Sequence, residues 1–206
     1  MAHWGIFAKR VVFCICAVGG VGNKRVEKMK KYQIIYADPP WSYDFSKDNA
    51  DKIERHYQTM SLEEICMLKI PSDNNAVLYL WATAPKLIEA LEVMKSWGFI
   101  YKTHCIWDKD WIGMGYWFRG KHELLLIGVK GKFSPPPPCW RIPSIYKEKR
   151  GIHSKKPEYF RNLIGEIFKE MNKIELFARQ KTEGWDCLGN EISGKDIRQE
   201  LEEMIR

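Results

Sequence analysis

The sequence predicts an α/β fold built on a largely parallel sheet. Three observations predict it. Short apolar, β-branched runs recur along the chain, stretches with helical spacing separate them, and turn-forming residues close most of the runs. At 206 residues the chain reads as one domain with room for a substantial core.

The first run is Gln33-Ile34-Ile35-Tyr36-Ala37, stopped by Asp38-Pro39-Pro40, as expected of a buried parallel strand. Ser61-Leu62-Glu63-Glu64 has the Ser-x-x-Glu form of a capping box and opens a short helix to about Leu68. Residues 76–81 form a second buried strand. Pro85 starts a helix, where its missing N–H costs nothing, and Gly98 ends it. Leu87, Ile88, Leu91 and Met94 form the apolar stripe of that helix. Residues 101–107 and 123–129 supply two further strands. Lys156-Pro157 begins a helix with Phe160, Leu163, Ile164, Ile167 and Phe168 on one face. Residues 173–177 are a fifth strand, and 194–205 a last amphipathic helix whose Ile197, Leu201 and Met204 pack within the domain or on a second copy as a homodimer.

Two stretches interrupt this alternation, 42–60 and 133–153. The second, with Pro135 to Pro138, reads as mobile and ordering on a polynucleotide. Residues 1–28 are unlike the rest: a basic start, an apolar run too short to span a bilayer, then Gly19-Gly20-Val21-Gly22. We read them as an N-terminal extension of doubtful structure ahead of a natural start at Met29, with 29–206 as the single domain; a weak signal peptide is the alternative.

A hydrophobic share of 45% with 29% charged residues excludes disorder as the default. The net charge of +7 leans toward a polyanionic partner, since basic groups on phosphates release counterions, although it also serves solubility. No Cys-x-x-Cys pair occurs among the six cysteines, and no histidine shares ligand spacing with them, so neither a zinc site nor a disulfide framework is expected. Reduced thiols place the chain in the cytoplasm, with no membrane partner.

In open α/β sheets ligands gather outside the carboxyl ends of the strands. Asp38-Pro39-Pro40-Trp41 sits there. Two prolines stiffen the loop and remove two N–H donors, leaving carbonyl oxygens beside a carboxylate, with an aromatic ring next. That set suits methylation of an exocyclic amine. The Asp38 carboxylate and Pro39 carbonyl can hold the two amine hydrogens and aim the lone pair, while Trp41 stacks on a base swung out of its helix. The plain alternative is a turn after a strand, with Trp41 in the core.

Tyr36-Ala37-Asp38-Pro39-Pro40-Trp41 resembles the signature of the MT-A70 adenine methyltransferases. The order continues through His56-Tyr57-Gln58-Thr59-Met60-Ser61, Leu80-Trp81-Ala82-Thr83, and Gly113-Met114-Gly115-Tyr116-Trp117-Phe118-Arg119 with His122-Glu123. It ends with Ser154-Lys155-Lys156-Pro157, Glu175-Leu176-Phe177-Ala178-Arg179 and Trp185-Asp186-Cys187-Leu188-Gly189-Asn190-Glu191. The resemblance runs from about Tyr32 to Ile192. It implies a circularly permuted, Rossmann-like, S-adenosylmethionine-dependent fold with helices on both faces and the catalytic loop ahead of the cofactor half.

By the same resemblance, Asp38, Pro39, Pro40 and Trp41 are catalytic. Lys156 holds the cofactor carboxylate and Asp38 its amine, while Arg179, Asn190 and Glu191 line its ribose and adenine. Tyr43, His56, Tyr57, Trp117, Arg119 and Glu123 are substrate candidates, and Lys147, Lys149, Arg150, Lys155 and Lys156 track phosphate or are merely solvated. The expected activity is N6-adenine methylation of DNA, by analogy with short bacterial and phage forms. RNA methylation and a non-catalytic nucleic-acid-binding subunit are the alternatives.

Overall fold

The computed structural model describes residues 29–43, 59–151 and 155–205. The expectations for residues 1–28, and for His56 and Tyr57, lie outside them. Seven strands form one sheet: β1 (Tyr32–Ala37), β2 (Ser72–Thr83), β3 (Ile100–Asp108), β4 (His122–Lys130), β5 (Ile145–Lys147), β6 (Lys173–Leu176) and β7 (Asp186–Leu188). Their order is β5-β3-β4-β2-β1-β6-β7. Every pairing is parallel except those of β4, which runs antiparallel to both β2 and β3. The first strand of the described residues is therefore near the centre, and the last two complete one side. The loop after β1 thus stands ahead, in the chain, of the helix Glu158–Ile167 and of the strands β6 and β7 that complete its side of the sheet.

Helices cover both faces. On one face lie α1 (Leu62–Cys66), α2 (Leu87–Ser96) and α5 (Ile197–Ile205), whose Ile65, Ala90, Val93, Met94, Ile197 and Leu201 pack with Ile35, Leu78 and Leu80 of the central strands. On the other face α3 (Glu158–Ile167) seats Phe160 and Ile164, with Phe168 just beyond its end, against Ile34, Tyr36, Tyr79 and Trp81. Alternate residues of β1 thus feed opposite cores, as the two-residue side-chain period requires. Each large apolar side chain so buried contributes about 1.5–3 kcal/mol.

The local signals map onto these elements. Ser61 caps α1 through Oγ, which accepts from the Glu64 N–H at 3.2 Å, while Glu64 Oε2 accepts from the Ser61 N–H at 2.9 Å. Gly98, at φ 83°, turns the chain after α2 into β3.

Four expectations need correction. Ile88 is not part of the apolar stripe; it is 78% exposed, and Ala90 and Val93 hold the buried positions instead. The stretch 133–153 is not uniformly irregular: β5 pairs with β3, and Tyr146 stacks on Tyr159 at 4.1 Å. β7 was not foreseen, because three half-buried residues carry no apolar run. The C-terminal helix starts at Ile197, after a four-residue turn of helix, α4 (Asn190–Ser193), that ends at Gly194 in the left-handed region. Its Ile197 and Leu201 are buried in the domain's own core, and Met204 packs against it.

Candidate active site

The parallel strands β1, β2 and β6 end on the same edge of the sheet, and the antiparallel β4 begins there. Asp38 follows β1, Thr83 closes β2, and Glu123 stands opposite Thr83 in the β2–β4 register. Glu123 could not reach this edge from a parallel strand so early in its course. Asp38, Pro39, Pro40 and Trp41 line a cavity of about 510 Å3, within the range of small-molecule sites. On one side of the loop the cavity reaches Tyr43, Thr83 and Glu123. On the other it reaches Phe177, Arg179, Asn190 and Glu191. Of the expected substrate residues Tyr43 and Glu123 therefore share one cavity with the expected cofactor residues Arg179, Asn190 and Glu191, with the Asp38 loop between them.

Lys156, two residues ahead of α3, closes the centre. Its Nζ lies 2.7 Å from Asp38 Oδ2 and 3.4 Å from Glu123 Oε2, and 5.8 Å from the centre of the Trp81 ring. Burial pulls the ammonium pKa down, but Asp38 and then Glu123 outweigh it and hold the group above the ordinary lysine value. Glu123 in turn accepts from Lys109 Nζ at 3.2 Å. A chain of charges thus runs Asp38–Lys156–Glu123–Lys109 across the edge of the sheet.

The loop itself is rigid. Pro39 O accepts the Trp41 N–H at 2.9 Å, Pro40 O accepts the Met60 N–H at 3.0 Å, and Trp41 pairs with Met60 in a parallel bridge. Trp41 is buried, and its Nε1 donates to Trp81 O at 3.1 Å. It is both a core residue and a wall of the cavity, so its ring is an anchored surface. A second hydrogen bond, Trp81 Nε1 to Tyr36 Oη at 2.6 Å, fixes the floor below. Tyr43 shares a hydrogen with Thr83 Oγ1 at 2.8 Å and lies under Lys86. Burial raises its pKa, so it stays a neutral phenol.

Across the sheet, Phe177 adopts φ 60°, a conformation rare for a residue with a Cβ, and delivers Arg179 to the cavity. Arg179 Nε faces Glu191 Oε1 at 3.8 Å. Gly189 lets the chain after β7 press against Ala178: a Cβ there would stand 2.3 Å from Ala178 O and 2.8 Å from Ala178 N. Gly189→Ala should therefore force β7 off β6. A cost of about 1–3 kcal/mol, with a fall in cofactor affinity, is expected in thermal melts and titration calorimetry. Unchanged values in both would show that the close approach is dispensable.

A second cavity of about 370 Å3 adjoins the first on the α3 side, sharing Asp38, Lys156, Phe177, Arg179 and Glu191 with it. Its base is a buried ion cluster absent from the sequence expectations. Arg161 Nη1 donates to both Glu175 oxygens at 3.2 and 2.9 Å, and Nη2 pairs with Glu158. The signal was a glutamate inside a buried strand facing an arginine on an apolar helix face. Thr83, Lys109, Phe177 and Gly189 were also missed as site residues. Phe177 and Gly189 stood inside the quoted motifs, whereas Lys109 had no signal before folding.

Trp117 and Arg119 are not brought into the cavity. They lie at the tip of the loop joining β3 to β4, beyond the same edge. Lys149, Arg150 and Lys155 lie on the neighbouring segment, of which Lys155 lines the second cavity.

The donor set fits a ligand bearing an amino-acid zwitterion. Lys156 and Asp38 complement a carboxylate and an ammonium, and polar side chains for hydroxyls stand beside them. A mostly parallel α/β sheet with such a cavity at the carboxyl edge of its strands fits the Rossmann-like methyltransferase class. Comparison of the sequence agrees. Residues 32–191 match the MT-A70 family. A type II methyltransferase, M.MunI, of Mycoplasma sp is 35% identical over 188 residues, covering 82% of this chain and 81% of its own. An N(6)-adenosine-methyltransferase MT-A70-like protein of Medicago truncatula is 29% identical over 187 residues, 84% of this chain but 28% of its own. An N6-methyladenosine RNA methyltransferase of Cryphonectria parasitica is 26% identical over 179 residues, 78% of this chain and 52% of its own. The chain belongs to the MT-A70 family and is a methyltransferase. No helix among the described residues is long and apolar enough to cross a membrane.

Proposed function

We propose that the chain methylates the N6 exocyclic amine of adenine in DNA, using S-adenosylmethionine. The observation that carries this reading is the Asp38–Lys156 pair, set at the midpoint of a cavity that joins a polar half to a half walled by Trp41, Tyr43 and Thr83. S-adenosylmethionine, when bound, supplies an electrophilic methyl group on a sulfonium that departs readily. Lys156 takes the methionine carboxylate and Asp38 its amine, each exchanging its present partner for the ligand's opposite charge. Arg179, Asn190 and Glu191 meet the ribose and adenine.

For the target, Asp38 and Pro39 supply the two acceptors that an adenine amine needs. Asp38 Oδ2, the oxygen now on Lys156, would turn to the cofactor ammonium, which leaves Oδ1 for the adenine amine. Pro39 O already accepts one bond from the Trp41 N–H, and its second lone pair serves the other amine hydrogen. Trp41, held by Trp81 O, offers a fixed wall for the base, and Tyr43 and Glu123 close the far side. Positioning of this kind recovers roughly 7–11 kcal/mol of a barrier. The nitrogen gives up one proton as its new bond forms, and Asp38 is the base placed to receive it.

DNA is favoured because the relative matched at 35% identity along about four-fifths of both chains is a type II methyltransferase. RNA is the second reading, supported by the relative named as an RNA methyltransferase. A scaffold without activity is disfavoured, because the loop keeps both Asp38 and Trp41.

The test incubates the protein with methyl-labelled S-adenosylmethionine and, separately, single-stranded DNA, duplex DNA or RNA, followed by digestion to nucleosides. Label in N6-methyldeoxyadenosine is the expected result. Label from RNA alone would overturn the substrate assignment, and cofactor binding without any transfer would favour the scaffold.

A further inference from the structure

The loop between β3 and β4 carries the largest exposed apolar group of the described residues, and nothing among them covers it. Met114, Tyr116, Trp117 and Phe118 are 89%, 92%, 94% and 89% exposed. Scattered surface hydrophobics are ordinary, but four large ones in five consecutive positions mark a contact surface. The loop is nevertheless constructed. Lys109 N–H donates to Lys121 O at 2.9 Å, Gly113 N–H to Gly120 O at 2.8 Å, and Gly120 N–H to Met114 O at 3.2 Å. Arg119 Nε donates to Gly113 O at 3.0 Å, and a Cβ on Gly115 would stand 2.0 Å from Phe118 O. A tight turn thus pushes the aromatic rings outward.

The segment after β5 runs beside this loop. Glu148 N–H donates to Asp108 O and Arg150 N–H to Lys109 O, both at 3.0 Å, and the Arg150 guanidinium covers the Trp111 ring at 4.8 Å. Lys109, whose backbone ties the segment down, is the lysine paired with Glu123 at the cavity. The aromatic tip, the Trp111–Arg150 stack and the Asp38 cavity are therefore continuous along one edge. Over residues 108–123 and 145–150 six lysines and arginines stand against four carboxylates. Lys109, Lys121 and Lys147 pair with Glu123, Asp108 and Asp110, while Arg119, Lys149 and Arg150 supply the excess.

Aromatic rings interleaved with cations fit a polyanion that exposes flat apolar faces, which describes unpaired nucleotides. A second copy of the chain fits poorly, because a twofold contact would set these cations against themselves. A base inside an intact duplex offers an edge and no face. We infer that the 111–119 loop and the Trp111–Arg150 stack form a base-stacking platform for the unpaired nucleotides flanking the target adenine. The platform makes the enzyme a reader of unpaired strand. This inference rests on the nucleic-acid reading above and adds to it the strand state and the flanking contacts.

The test measures fluorescence anisotropy of labelled DNA oligonucleotides with the full chain in the presence of S-adenosylmethionine. Three probes share one sequence: a single strand with one adenine, the same strand with abasic residues on both flanks, and the duplex. The combined variant Tyr116→Ser, Trp117→Ser and Phe118→Ser, all at exposed positions, is measured beside the wild type. The wild type should bind the intact strand at least about tenfold more tightly than the abasic strand or the duplex. The variant should lose that margin while cofactor affinity by calorimetry is unchanged. Equal affinity of wild type and variant for the intact strand would overturn the platform. So would indifference of the wild type to abasic flanks, or duplex binding as tight as single strand. A dimer in sedimentation that the variant abolishes would assign the surface to self-association instead. If wild type and variant methylate DNA equally well, the platform fails and the proposed function stands. If the wild type neither binds nor methylates any nucleic acid, both fail.

Discussion

Asp38→Ala should lower the rate of methyl transfer by about a thousandfold or more. The substitution removes one of two acceptors for the target amine, the base for its proton and the group opposite the cofactor ammonium. Asp38→Asn is the informative companion. It keeps an acceptor oxygen and the loop's shape but loses the charge, so it should remain severely impaired while folding normally. Stability should suffer less than the roughly 3–5 kcal/mol typical of breaking a buried ion pair, because Glu123 remains within 3.4 Å of Lys156. Single-turnover rates with saturating cofactor, together with thermal melts, separate the two effects. Near-normal turnover in Asp38→Ala would remove that residue from the mechanism.

A pH dependence follows with a definite sign. The pKa of Lys156 is raised in the folded protein, so its favourable interactions are complete below the ordinary lysine value and are lost only as pH rises through the higher one. Cofactor binding should not titrate through Lys156 in the neutral range. Without Asp38 the main support of that raised value is gone while burial still pulls it down. The variant should lose cofactor affinity at lower alkaline pH than the wild type.

Arg161→Met should be the most destabilising single change, costing about 3–5 kcal/mol and lowering the melting temperature by about 10 °C or more. Arg161 and Glu175 side chains are 8% and 11% exposed, and without the guanidinium a carboxylate stays buried between α3 and β6. Burial already pushes the Glu175 pKa up, with Arg161 partly offsetting it. The Arg161 pKa is itself raised, since Glu175 and Glu158 outweigh the burial that lowers it. The control is the double variant Arg161→Met, Glu175→Gln, which removes the stranded charge and should recover much of the loss. A melting temperature unchanged in the single variant would show that the pair is energetically neutral. Because this cluster forms the base of the second cavity, cofactor affinity should fall with stability in the single variant and return in the double.

Much of this protein was legible before folding. All five foreseen strands are present, β1, β2 and β4 because their apolar runs must be buried, whereas β3 is largely exposed and is held by its pairing with β4. The α1 boundary was visible in Ser61 and Glu64, whose reciprocal bonds are local chemistry. Asp38-Pro39-Pro40-Trp41 could be placed at a strand end because two prolines stop a strand wherever they occur. Local information has a short range, and the errors follow from that. Ile88 fits a helical stripe by spacing, yet the face it occupies meets no partner among the described residues. β5 and β7 are three residues each and exist because longer strands offer them an edge. Trp41 could be a stacking surface or core from sequence alone, and the fold makes it an anchored wall that belongs to both.

By itself, then, the sequence determined the alternation of strands and helices, the stiff acidic loop and the family whose motifs surround it. All of these depend on residues close together in the chain. Only the tertiary structure decided which charges meet. Asp38 and Lys156, 118 positions apart, come within 2.7 Å because β1 is central and α3 starts above its carboxyl end. Glu123 and Lys109 join them because β4 alone reverses direction and begins where its neighbours finish. Side chains distant in sequence acquire a common electrostatic environment only when packing brings their strands' ends to one edge.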